Sequence, residues 1–206
     1  MWTPKMDHHH HDHGEKRPYD QVTPESMENQ YTTTEQVWSG NPNQALIAYL
    51  GEEPAEGTAL DIGCGEGADL VWLSSKGYVT TGIDFAPTAV KRAKQNAPSA
   101  EVLLVSFTEF AIESGRQFDL VSCSYGQIPA NDTSVAQLEN LVAPGGTLLF
   151  THHDFESESA ATPKWLSENL SEAFRVELVE SFERDIKTGA GAHHHVDIVL
   201  KATKVD

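Results

Sequence analysis

The sequence predicts an α/β protein: a doubly wound sheet of seven strands, mostly parallel, with the last strand antiparallel. Three observations carry this expectation. A strand, a glycine turn and a helix follow one another at residues 58–69, T-A-L-D-I-G-C-G-E-G-A-D. Strand-like and helix-like segments then alternate to about Ala173, the pattern of parallel strands joined by helical crossovers. Residues 174–182 and 194–202 are both β-rich and leave no room for a helix between them, so they form an antiparallel hairpin.

Each element has its own signal. Residues 59–62 end a buried strand, Gly63, Gly65 and Gly67 follow at every second position, and residues 68–75 have helical composition closed by Lys76-Gly77. Residues 78–83 form the next strand, ending at Asp84. Pro87 opens a helix to about Asn96 that Ala97-Pro98 closes, and residues 101–105 are a third strand. F-D-L-V-S at 118–122 is the fourth, with a helix over 131–141 after it. Ala143-Pro144-Gly145-Gly146 is a tight turn feeding a fifth strand at 147–151, and Thr162-Pro163 caps a helix to about Ala173. Upstream, Asn41 suits an N-cap and Pro42 a first helical position, so a helix runs from 42 to about Leu50 with Trp38 just outside it. Residues 1–30 hold D-H-H-H-H-D-H, three prolines and no sustained apolar periodicity, and read as a disordered His-rich tail before a domain at 31–206.

Composition narrows the function classes. At 206 residues the chain suits one domain with a sizeable core, and 14 basic against 31 acidic residues leave a formal charge of −17. Such a chain repels phosphate backbones and anionic lipid, so no nucleic acid and no membrane partner is expected. The densest basic group, Lys91-Arg92-Lys94, reads as an exposed helix face. No apolar run approaches about 18 residues, the start is polar, and two cysteines make no disulfide framework. A cytoplasmic setting is the default expectation. The tail histidines are a solvated tract or a possible divalent-metal site.

The glycine turn carries the chemistry. Glycines bend the backbone sharply and let it approach a ligand where any Cβ would collide. Asp84, about 20 residues on and after the next strand, stands where ribose hydroxyls would donate to it. Two ligand classes use this arrangement. Gly63-x-Gly65-x-x-Ala68 satisfies the dinucleotide form, whereas Asp61-x-Gly63-x-Gly65-x-Gly67 is an acid followed by alternate glycines.

From about Trp38 to Lys201 the chain resembles class I S-adenosylmethionine-dependent methyltransferases, and within them the tellurite-resistance and thiopurine methyltransferase-like group. The resemblance rests on L-D-I-G-C-G-E-G at 60–67, G-I-D-F-A-P at 82–87, F-D-L-V-S at 118–122 and L-V-A-P-G-G-T-L-L at 141–149, and more weakly on V-W-S-G-N-P-N at 37–43. It implies a Rossmann-like fold and S-adenosyl-L-methionine as cofactor. It also implies roles: Asp61 near the methionine amino group, with Gly63, Gly65 and Gly67 opening the backbone to the methionyl and ribose portions. Asp84 would accept from the ribose and Phe85 would pack on adenine. Relatives carry an acid after strand three; here Ser106 stands there, so Ser106 or the Phe107 backbone would meet the adenine. Cys123, Ser124 and Tyr125 would line the reactive end, and Trp38 would either plug the core edge or wall the cofactor. Cys64 lies in the loop and is expected to pack.

Methyl transfer from a sulfonium requires alignment, water exclusion and, for a protonated nucleophile, a base. All ten histidines fall in three groups: the tail, His152-His153, and residues 193–195. The resemblance implies that the reversed last strand inserts beside strand five, which would bring the second and third groups together at the active-site edge, with Asp154 near enough to orient an imidazole. They are polar strand ends, a substrate or base cluster led by His153, or a metal site. The expected activity is methyl transfer to a small-molecule acceptor through S, Se, Te, O or N. An NAD-binding dehydrogenase-like protein and a non-catalytic metal-binding protein are the alternatives.

Overall fold

The computed structural model describes residues 22–51, 53, 55–192 and 194–205. They build one seven-stranded sheet in the order β3-β2-β1-β4-β5-β7-β6. The strands are β1 (Thr58–Ile62), β2 (Val79–Asp84), β3 (Glu101–Leu104), β4 (Phe118–Ser124), β5 (Val142–His153), β6 (Phe174–Glu183) and β7 (Val196–Lys204). The pairs from β3 across to β5 are parallel, and β7 runs antiparallel to both β5 and β6. The predicted doubly wound sheet with one reversed strand is present.

The central strands are apolar because helices cover both faces. On one face Leu60, Ile62, Phe118, Val121, Leu148, Phe150 and Leu200 form the main core, and on the other Ala59, Leu120, Leu149 and Val199 pack with Leu46 and Leu73. Truncating fully buried Phe150 to alanine would cost about 3–5 kcal/mol. The flanking helices are α1 (Pro24–Thr33), α2 (Gln44–Leu50), α3 (Ala68–Lys76), α4 (Pro87–Asn96), α5 (Phe107–Glu113), α6 (Asp132–Leu141) and α7 (Pro163–Asn169). Gly77 ends α3 in the left-handed region, its N–H donating to the Leu73 and Ser74 carbonyls.

Several boundaries differ from the sequence reading, each for a local reason. Helix α1 begins at Pro24, inside the stretch expected to be disordered: Thr23 and Ser26 form a capping box, and Tyr31 anchors the helix by burial. Residues 1–21, with the tail histidines and their possible metal, lie outside the described residues. In α2 the cap is Asn43, not Asn41, because its side chain accepts from the Ala45 N–H, so the helix starts two residues later than expected. Helix α5 was not expected, although Ser106 and Glu109 form a capping box that marks its start. The Pro144-Gly145-Gly146 turn lies within β5 as an irregularity between the Phe118–Val142 and Leu120–Thr147 pairs. Helix α7 stops at Asn169, as Leu170 turns to extended backbone. Of the basic group on α4, Lys91 and Lys94 are exposed as read, but Arg92 turns inward to Glu66.

Candidate active site

The carboxyl ends of β1, β2, β4 and β5 open into a cavity of about 1020 Å³. It lies where the strand order reverses, with β1 leading out to β2 and β3 on one side and to β4 on the other. Open α/β sheets bind ligands in this crevice.

Its first half is the glycine loop. Gly63 and Gly65 have φ of 73° and 52°, and Gly63 and Cys64 both donate backbone N–H bonds to the Ile83 carbonyl, tying the loop to β2. A Cβ on Gly65 would sit 3.2 Å from both the Trp38 Nε1 and the Tyr31 hydroxyl, so only glycine keeps that cradle open. Asp84 accepts from the Gly65 N–H at 3.0 Å and the Ala86 N–H at 2.8 Å. Buried Asp61 accepts from Ser122 Oγ at 3.1 Å, and Asp69 accepts from the Asn43 N–H at 2.6 Å. All three acids line the cavity. Burial pushes each above the ordinary carboxylate range, Asp69 to about 6, and Asp69 lifts Asp61 further by repulsion. Cys64 also lines the cavity, with its sulfur packed toward Gly82 and its thiol pushed up by burial, a packing role as expected.

A strap from α1 to α2 closes over this half. Glu66 accepts from the Val37 and Trp38 N–H groups and from Arg92, whose other nitrogen donates to the Tyr31 and Thr34 carbonyls. Trp38 Nε1 donates to the Tyr31 hydroxyl at 2.8 Å. Trp38 therefore walls the cavity, next to Phe85 at the tip of β2.

The second half comes from distant segments. The β5–β7 register pairs His153 with Asp197, and His153 Nδ1 lies 2.8 Å from Asp197 Oδ1. Buried Asp197 also accepts from the Tyr125 hydroxyl at 2.6 Å, and Arg184 Nε lies 3.4 Å away. Burial alone would raise the Asp197 carboxyl, but bonds from His153 and Tyr125 and the charge of Arg184 outweigh it and hold it low. Tyr125 has φ of 60°, unusual for a non-glycine residue, and its ring lies 4.5 Å from that of His153. His194 stacks on His153 at 3.8 Å, so the second and third histidine groups do meet. His152 is buried, and that burial pushes its imidazole down to about 3.

Five residues expected at the site are not among those that line the cavity. Ser106 is occupied in the α5 capping box with Glu109, and Phe107 is buried in the core. Cys123 is buried on β4, in the same core. Gly67 faces α4, where a Cβ would stand 3.1 Å from the Ala93 Cα, so this glycine serves helix packing. Asp154 pairs with Lys164 at an exposed site, and the acid on the imidazole is Asp197. His193 lies outside the described residues. Asp197, Arg184 and Glu66 escaped the sequence reading, though an acid inside the apolar strand V-D-I-V-L was a signal. Among the described residues, no group of three or more His, Cys, Asp and Glu is arranged to hold a metal ion. No helix among them is long and apolar enough to cross a membrane.

Comparison with known proteins agrees with this architecture. A methyltransferase domain family matches residues 54–195. "Probable thiol methyltransferase 2" of Arabidopsis thaliana is 30% identical over 71% of this chain and 68% of its own length. The 2-heptyl-1-hydroxyquinolin-4(1H)-one methyltransferase of Mycobacteroides abscessus is 32% identical over 40% of this chain, which spans only 37% of that relative. In fold, the chain resembles the N-methyltransferase NodS of Bradyrhizobium japonicum solved with S-adenosyl-L-homocysteine (TM-score 0.60, 18% identity, 93% of this chain and 90% of that one). It likewise resembles a Burkholderia thailandensis 1,6-didemethyltoxoflavin N1-methyltransferase (TM-score 0.62, 18% identity, 89% and 87%). The chain belongs to the methyltransferase domain family.

Proposed function

We propose that this protein transfers the methyl group of S-adenosyl-L-methionine to a small-molecule acceptor in the cytoplasm. The observation that carries this is the set of three enclosed carboxylates, Asp61, Asp69 and Asp84, around a glycine cradle. Their partners include backbone amides and a serine hydroxyl, and burial raises the affinity of each for protons, with repulsion from Asp69 and Asp84 adding to it at Asp61. A ligand bearing a sulfonium and an ammonium relieves that repulsion. The pyrophosphate of a dinucleotide would add to it, which sets the NAD reading aside. Asp84 suits the ribose hydroxyls, Phe85 the adenine, and Asp61 and Asp69 the cationic methionine end.

The cofactor, when bound, supplies an electrophilic methyl carbon. The chain's residues do the rest. Trp38 and the strap exclude water from the cradle. Ionised Asp197 can only accept, so His153 keeps its Nδ1 proton and Nε2 is the acceptor of a proton from the nucleophile. His153 Nε2 would take up the proton that a thiol, hydroxyl or amine nucleophile gives up on methylation, with Asp197 holding the ring in place. A thiol, hydroxyl or amine fits this dyad, and the Arabidopsis relative's name favours a thiol. Two buried free cysteines accord with a cytoplasmic setting.

Calorimetric titration with S-adenosylmethionine, S-adenosylhomocysteine and NAD tests the reading, with wild type and Asp84→Ala compared. Micromolar binding of the first two that collapses in the variant is expected. Binding of NAD alone, or of none of the three by folded protein, would sink it.

A further inference from the structure

Arg184 has a feature that the methyl-transfer chemistry does not use. It lies just past the end of β6 and lines the cavity, with its side chain only 8% exposed. Its guanidinium lies over the Tyr125 ring, 5.1 Å from the centroid, and its Nε approaches Asp197 at 3.4 Å. That carboxylate is already engaged by His153 and Tyr125 at 2.8 and 2.6 Å. Arg184 Nη1 is buried and donates to no group among the described residues. A buried guanidinium donor with no acceptor costs free energy that an entering oxygen would recover. Planar guanidinium donors suit carboxylates and other oxyanions above all.

We propose that Arg184 is the anchor for an anionic group on the methyl acceptor, so the acceptor class is a small acid, with a carboxylate or similar oxyanion beside its nucleophile. This rests on the methyltransferase reading of the same cavity. Arg184 and His153 are both tied to Asp197, so the acceptor's anion and its nucleophile lie only a few bonds apart, as in 2-mercapto or 2-hydroxy aromatic acids. The connection between β6 and β7 carries the anchor and is itself clasped to the strap. Gln44 and Asp185 exchange hydrogen bonds, and the Ala190 N–H donates to the Val37 carbonyl. Anion capture at Arg184 thus couples to the segment that covers the cofactor half. In a chain with a net charge of −17, a local cation offsets the repulsion that an acidic acceptor meets on entering.

The test is paired titration of the full chain with 2-mercaptobenzoate against thiophenol, and salicylate against phenol, with and without saturating S-adenosylhomocysteine. In wild type the carboxylate member of each pair should bind at least about tenfold tighter. In Arg184→Gln that advantage should fall below about twofold while S-adenosylhomocysteine affinity holds within about twofold, and Arg184→Lys should retain part of it. Preference that survives in Arg184→Gln, or equal binding of both members by wild type, overturns the proposal. Loss of S-adenosylhomocysteine affinity in the variant also overturns it, by assigning the arginine to the cofactor's own carboxylate. Failure of wild type to bind S-adenosylhomocysteine is a failure of the cofactor reading instead, and the titrations without it still decide Arg184. Circular dichroism melts show whether the glutamine variant folds; if it does not, the lysine variant and the wild-type pairs decide the role of Arg184.

Discussion

The two halves of the cavity are built in opposite ways. The half proposed for the cofactor takes its floor from one stretch of chain, residues 61–69, plus Asp84 at the end of the adjacent strand, and its electrostatics are those of carboxylates held by amides and hydroxyls. The half proposed for the acceptor draws Tyr125, His153, Arg184 and Asp197 from the ends of four strands, and a single buried acid organises the other three. A site for a fixed cofactor can be written as a local motif because loop and strand geometry repeat. A site for a variable acceptor is assembled where strand ends meet, from residues that no single stretch of chain holds together.

The sharpest way to break this division is to remove the base proposed above. His153→Gln is expected to lower kcat/KM for a hydroxyl or amine acceptor by about 10²- to 10³-fold while S-adenosylhomocysteine affinity stays unchanged by calorimetry. A matching loss of cofactor affinity would show that the halves are not separate. In the other half, Asp84→Ala should weaken S-adenosylhomocysteine binding about hundredfold, about 2.7 kcal/mol, and lower the rate at saturating cofactor far less.

The halves should also answer pH with opposite signs. His152 titrates near 3 in the folded protein against about 6.5 when unfolded, so the unfolded chain binds more protons between those values. Its contribution is fully present above about pH 6.5 and is lost as pH falls toward 3, at most about 4 kcal/mol. Asp69 is raised to about 6; its contribution is present below about pH 4 and lost as pH rises through 6, about 1–2 kcal/mol after solvent screening. Denaturant midpoints from pH 4 to 7.5 check both. His152→Phe should flatten the acid-side loss, whereas Asp69→Asn should stabilise the free protein at pH 7 and weaken S-adenosylmethionine binding. If both variants shift the profile the same way, the opposition is wrong. The smallest effect belongs to Asp154→Asn. Its pair with Lys164 is exposed on both sides, so stability should change by less than about 0.5 kcal/mol and turnover not at all, which separates this acid from Asp197.

Much was legible in the chain itself. The order of strands and helices, the closing hairpin and the glycine turn with Asp61 and Asp84 all follow from short-range rules, whereas the meeting of the two histidine groups came from the topology that the family resemblance implied. Glycine marks positive φ, proline marks a helix start, and a strand buried on both faces reads as an apolar run. Those rules act within a few residues and survive any surroundings.

Tertiary structure decided the rest. Ser106, Phe107 and Cys123 sit at strand ends where a ligand contact was reasonable, yet a capping box and the core claimed them. Gly67 looked like its two neighbours and serves α4 instead. Asp154 is next to His153 in sequence, but it lies past the end of β5 and pairs with Lys164, and the acid that reaches the imidazole is the cross-strand partner Asp197, 44 positions on. Arg184 reaches the same carboxylate across the hairpin. Register across a sheet is set by the packing of whole faces, and no local pattern contains it.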